Sequence, residues 1–174
     1  MENLLNKFFN HLMTLEGGDK LVNNPKDPGG LTKFGISKRA YPNEDIEHLT
    51  LARARELFLK DYWKPCHCDE LPESVAIVVC DTAFNCGKAV AIKFLQQLLG
   101  LKADGIIGPK TLEAISKIEN DFHLLKSFVL RYTNLRISYY QSLSTWKTFG
   151  KGWVNRANST LTFAYKFLPE NKDV

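Results

Sequence analysis

The first apolar positions of the chain, Leu4, Leu5, Phe8, Phe9, Leu12 and Met13, recur at intervals of one, three and four residues. That spacing lines them up on one stripe of an amphipathic helix. Glu16-Gly17-Gly18 follows, and two consecutive glycines are a poor continuation and a natural C-terminal stop. Glu16 is therefore expected at the exposed end of a rigid helix. From Asn23 to Ile36 the helical period is lost. This stretch is dense in Asn, Pro, Asp and Gly, with a Leu/Thr/Phe/Ile alternation at its end, which predicts a loop leading into a small β-hairpin. Thr50 then suits the N-cap of a second helix whose common face carries Leu51, Ala54, Leu57, Phe58 and Tyr62.

Pro72 fits the first turn of the next helix, which carries the nearly all-apolar run Val75 to Cys80 and stops near Gly87. A helix that is apolar all round belongs in the centre of a core. Asp81 and Asn85 stand four residues apart on one face where this helix leaves the apolar run, so each must be hydrogen-bonded or face a cleft. Further helices are expected over 89–99, from Pro109, over 122–143 through Leu125, Val129, Tyr132, Leu135 and Tyr139, and after Gly152 through Trp153, Ala157, Leu161 and Ala164. The pattern as a whole predicts a mainly α, α+β fold: a helical globule around a central buried helix, with a small β-hairpin lobe forming a cleft.

Composition narrows the classes that this fold can serve. With 174 residues, 44% hydrophobic and 24% charged, the chain has enough apolar surface for one good core. No stretch approaches the roughly 20 consecutive apolar residues of a membrane helix, so stable membrane insertion is not expected. The opening Met1-Glu2-Asn3 and the alternation that follows lack the basic start and continuous apolar stretch of a secretory signal, which implies synthesis in the cytoplasm. The net charge of +4 favours an anionic polymer, nucleic acid or bacterial cell wall. Lys147, Lys151, Arg156 and Lys166 are scattered among aromatics rather than forming a nucleic-acid reader motif, so nucleic acid is not an expected partner. Cys66, Cys68, Cys80 and Cys86, with His67 between the first two, fit zinc spacings poorly and read as reduced structural thiols. No metal and no organic cofactor is expected.

The candidate chemistry lies in the N-terminal third. Hydrolysis of a glycosidic bond needs a carboxylic acid to protonate the leaving oxygen and a second polar group to hold or activate water. Glu16, Asp27 and Thr32 supply such a set, the first at a helix end and the others on the adjoining loop and strand. Asp27 serves equally well as a turn former in Asp-Pro-Gly-Gly. Tyr62 and Trp63 offer flat faces suited to sugar rings, and Asp81 and Asn85 offer polar groups for hydroxyl or N-acetyl substituents. All four are also ordinary core or cleft-support residues.

Leu15-Glu16-Gly17-Gly18, followed by Asn24-Pro25-Lys26-Asp27-Pro28-Gly29-Gly30-Leu31-Thr32-Lys33-Phe34-Gly35-Ile36, resembles the start of glycoside hydrolase family 108, the phage and prophage N-acetylmuramidases. Tyr62-Trp63, Asp81 to Gly87, Leu95-Gln96 and Gly152-Trp153-Val154-Asn155-Arg156 resemble later parts of the same family. The resemblance implies a lysozyme-like fold and makes Glu16 the match to the catalytic glutamate of the Glu-Gly-Gly motif. The order Glu16, Asp27, Thr32 is also similar to the triad of small phage lysozymes. Where many relatives carry an aromatic after Glu-Gly-Gly this chain has Asp19, so local substrate contacts are expected to differ. Phe94 to Thr111, with its Leu-Gln, Asp104-Gly105 and Gly108-Pro109-Lys110-Thr111, resembles helical peptidoglycan-binding modules, although the same residues also make a good helix–turn–helix corner.

The resemblance thus implies a catalytic region at 1–90 and a peptidoglycan-binding-like helical region at 91–174 packed in the same globule. The expected activity is cleavage of the β-1,4 bond between N-acetylmuramic acid and N-acetylglucosamine, by a monomer acting on the peptidoglycan glycan strand. Without a signal, such an enzyme reaches the wall after release or export, by way of a holin or a secretion machinery. The alternative class is a non-catalytic peptidoglycan-binding protein associated with a phage or a secretion system.

Overall fold

The periodicity of the first segment is realised in α1, Leu4–Leu15, capped by the Asn3 side chain accepting from the Asn6 N–H. The computed structural model describes residues 3–23, 25 and 29–172. It contains seven α-helices and a three-stranded antiparallel sheet among those residues, a mainly α architecture. The chain divides into two compact units, 1–61 and 62–174.

In the first unit the α1 stripe of Leu5, Phe8, Phe9, Leu12 and Met13 is buried. Phe8 and Phe9 pack on Phe58, with ring centroids 6.0 and 5.5 Å apart. Phe58 closes α2, Leu51–Phe58, and Thr50 caps that helix by accepting from the Arg53 N–H. Ala54, Leu57 and Phe58 form the buried face. Leu51 does not share it, being 49% exposed, because it stands in the first turn before the stripe reaches the core. A π-helical turn at Leu59–Trp63 widens the helical register and takes Tyr62 off the α2 stripe.

The predicted hairpin has a further strand. β1 (Val22–Asn23) pairs with β2 (Leu31–Lys33), and β2 pairs with β3 (Ile36–Ser37), with Thr32 opposite Val22 on one side and Ser37 on the other. The β2–β3 turn is the dipeptide Phe34-Gly35, both residues at positive φ, +52° and +73°. Two such angles in succession match the twist of an antiparallel hairpin.

The second unit is built on α3, Glu73–Cys86, entered at Pro72 and stopped at Gly87, and buried without interruption from Ser74 to Ala83. α4 (Lys88–Leu98), α6 (Phe122–Ser142) and α7 (Trp146–Tyr165) pack against it, and the short α5 (Pro109–Ser116) stands between α4 and α6 in the chain. α3 shares its core with these later helices, so they belong with it to the unit that begins at residue 62. Tyr132 ties α6 to α4 by donating to the Ala91 carbonyl at 2.8 Å. The last helix starts seven residues before Trp153, the first position of its predicted pattern. Gly150 and Gly152 lie inside it and do not break it. At Gly150 an added Cβ would stand 2.5 Å from the Trp146 ring, so glycine lets that indole lie on the helix.

Candidate functional site

Glu16 is the C-cap of α1, its N–H bonded to the Leu12 carbonyl at 3.0 Å. Gly17 and Gly18 follow at φ +78° and +66°, and the Gly18 N–H returns to the Met13 carbonyl at 3.0 Å. Two successive left-handed residues let the helix stop within one turn of the carboxylate, a conformation that side chains at either position would strain. Glu16 is half-buried.

Thr32 lies on the central strand of the sheet and is also half-buried. Its hydroxyl faces the Gly30 carbonyl at 3.5 Å, long for an O–H···O bond. Asp27, the third member of the candidate set, lies outside the described residues. The helix end and the strand thus belong to one unit, on either side of the turn-rich segment.

In the second unit Asp81 and Asn85 behave differently from each other. Asp81 is fully buried and its carboxylate is completely committed. It accepts from Arg136 Nη1 at 2.5 Å, Arg156 Nη2 at 2.9 Å and Thr160 Oγ1 at 3.0 Å. Burial favours its neutral form, but the two guanidiniums outweigh burial and hold its pKa well below the usual carboxylate range. The Arg136 pKa is raised: burial opposes its charge, and Asp81 more than compensates. Of the two roles the sequence left open to Asp81, hydrogen bonding within the fold is the one it fills. Asn85 is exposed, and its Oδ1 accepts a short hydrogen bond from the Tyr140 hydroxyl. Tyr140 Oη in turn accepts from Arg136 Nε at 2.8 Å.

Trp63, expected as a sugar-stacking face, is 1% exposed, and its indole N–H donates to Asp69 at 2.9 Å. It is a core residue in this conformation, since the π-turn carries it inward. Tyr62 is half-buried and meets the edge of Phe84 at 4.9 Å between centroids.

Sequence reasoning missed Arg136 and Tyr140. The signal was present: Leu125, Val129, Tyr132, Arg136 and Tyr140 continue one helical stripe, and an arginine on an apolar stripe requires a buried anion.

The corner at 96–111 is held by one amide. Gln96, 2% exposed, donates to Asp104 Oδ1 at 2.8 Å and to the Ile106 carbonyl at 2.9 Å, and accepts from the Gly105 N–H at 2.9 Å. Asp104 also accepts from the Ile106 N–H at 3.0 Å, and these bonds lower its pKa. Gly105 sits at φ +79°. The corner borders a cavity of about 610 Å³ lined in part by Lys102, Asp104, Ile106, Lys110 and Thr111.

The four cysteines are unbridged; Cys66, Cys68 and Cys80 are buried and Cys86 is half-buried. Among the described residues no group of three or more His, Cys, Asp or Glu side chains is placed to hold a metal ion, and no helix is long and apolar enough to cross a membrane.

Residues 9–87 match the family model described as glycosyl hydrolase 108, and residues 90–158 match a predicted peptidoglycan domain. Among solved structures the chain is similar to that described as the structure of Brucella abortus SagA. The two share 31% sequence identity at a TM-score of 0.84, over 98% of each chain. No curated protein sequence matches.

Proposed function

We propose, from the premise that the chain belongs to the glycosyl hydrolase 108 family and is a peptidoglycan hydrolase, that it is a lysozyme. On this reading it cleaves the β-1,4 bond between N-acetylmuramic acid and N-acetylglucosamine, with Glu16 as general acid. The observation that carries the proposal is the position of that carboxyl group within the matched region 9–87. It closes a rigid helix, is half-buried, and is followed at once by the double-glycine turn.

A general acid must keep its proton until the glycosidic oxygen takes it, and closing a sugar strand over the helix end favours this by removing water. Proton transfer to the leaving oxygen breaks the C–O bond, and water adds to the oxocarbenium-like centre. Thr32, whose hydroxyl is only weakly engaged by its own chain, is suited to hold that water, and Asp27 is suited to activate it. Tyr62 and Asn85 are the remaining candidates for sugar contacts. Asp81 fixes the helix that presents Asn85.

The test is digestion of purified bacterial sacculi followed by mass spectrometry of the released muropeptides. A muramidase leaves muramic acid at the new reducing ends. Glu16→Gln should abolish release while leaving the unfolding temperature nearly unchanged. Reducing N-acetylglucosamine ends, or wild-type release by Glu16→Gln, would refute the bond or the acid respectively.

A further inference from the structure

The two glycines inside α7 have different causes. Gly150 is required by the Trp146 ring. At Gly152 an added Cβ would meet nothing within 4 Å, and the residue is exposed. A glycine inside a helix costs about 0.5–1 kcal/mol relative to alanine, and no contact within the chain calls for this one. The aromatic residues beside it are Phe149, one turn earlier on the same face, and Trp153, the next residue in the chain. Phe149 is 48% exposed and lies 5.7 Å from Trp153 at 33° between planes. Trp153 is half-buried and stacks on the buried Tyr140 at 5.0 Å and 25°. Three rings therefore climb from the core to the surface, and the innermost is fixed by Arg136. The Tyr140 hydroxyl occupies Asn85 Oδ1, which leaves the exposed Asn85 its amide N–H groups to present.

We propose that Phe149, Gly152 and Trp153 form an accessory platform that seats the glycan strand of peptidoglycan. The proposal rests on peptidoglycan being the substrate. A hexosamine ring presents a flat face of C–H groups, which pairs with an aromatic ring, while its rim of hydroxyl and N-acetyl groups takes donors such as the Asn85 amide. The missing side chain at Gly152 lets a rigid polysaccharide approach the helix backbone beside the rings. All of α7 that takes part lies within residues 90–158, the stretch matched to a predicted peptidoglycan domain.

The experiment is equilibrium sedimentation of the full-length Glu16→Gln chain with purified sacculi at 4 °C, alone and with Phe149→Ala or Gly152→Gln added. Each added substitution should weaken binding about tenfold, the size of one lost ring contact or one blocked approach. Gly152→Gln should do so with an unchanged or higher unfolding temperature, since it replaces a poor helix former in open space. Soluble N-acetylglucosamine oligomers should displace the parent. Binding by both variants within twofold of the parent, or displacement by duplex DNA and not by the oligomers, would overturn the platform. Release of reducing ends from the same sacculi by the unsubstituted chain separates the two readings. Its absence sinks the hydrolase assignment, whereas release with unimpaired binding by the variants sinks only the platform.

Discussion

Replacing Asp81 by Asn removes one charge and almost no volume from the centre of the second unit. The carboxylate is fully buried between Arg136, itself 2% exposed, and Arg156, so the substitution leaves a cation in the core without its anion. Breaking a buried pair in this way costs about 3–5 kcal/mol, against a total stability of roughly 5–15 kcal/mol for a domain. At about 2–4 °C per kcal/mol for a chain of this size, the unfolding temperature should fall by around 10 °C. Urea denaturation followed by tryptophan fluorescence measures the loss directly, and the m-value should not change. The same group sets an acid dependence. Because its folded pKa is depressed, the stability it contributes is complete above its unfolded value, about 3.9, and is lost as pH falls below that toward the folded value. The gap between wild type and Asp81→Asn should therefore narrow steadily below about pH 4. A loss under about 1 kcal/mol at neutral pH would refute the reasoning, and so would a gap that stays constant into acid.

Three further outcomes are expected. Gly150→Ala should lower the unfolding temperature although alanine is the better helix former, because its methyl would collide with the Trp146 ring; overpacking of this kind costs about 1–3 kcal/mol. Gln96→Ala should speed amide hydrogen exchange over 104–111 well before it affects α3, since that one side chain holds the corner through three bonds under 3 Å. In the native protein at pH 8 a thiol reagent should label Cys86 slowly and the other cysteines only after denaturation, because burial raises the thiol pKa at Cys86 and Cys80 and shields Cys66 and Cys68 from the reagent.

What could be read in advance follows from how local each signal is. The stripe of α1, the Thr50 cap, the Pro72 and Gly87 limits of α3 and the turn at Asp104 are each written within a few residues, and each forms as read. Partnerships across the chain are not written that way. Nothing near Asp81 announces Arg136, Arg156 or Thr160, which lie 55, 75 and 79 positions away. The early start of α7 was obscured by Gly150 and Gly152, which look like breakers until the Trp146 ring is seen lying on one of them. The inward turn of Trp63 depends on a π-turn that no periodicity specifies. Of the candidate site, the position of Glu16 at a helix end was legible because the double glycine fixes it. The third strand was not, because the positive φ at Phe34 has no compositional mark.

The separation between Asp81 and its partners also bears on how the protein is made. While the chain leaves the ribosome, α3 emerges long before Arg156 and Thr160, and burying its carboxylate at that stage would strand a charge. The apolar centre of the second unit thus stays unsealed until residues 156 to 160 are available, and truncation before residue 156 should yield a product that aggregates rather than folds. A single side chain makes completion of this unit a late event in synthesis.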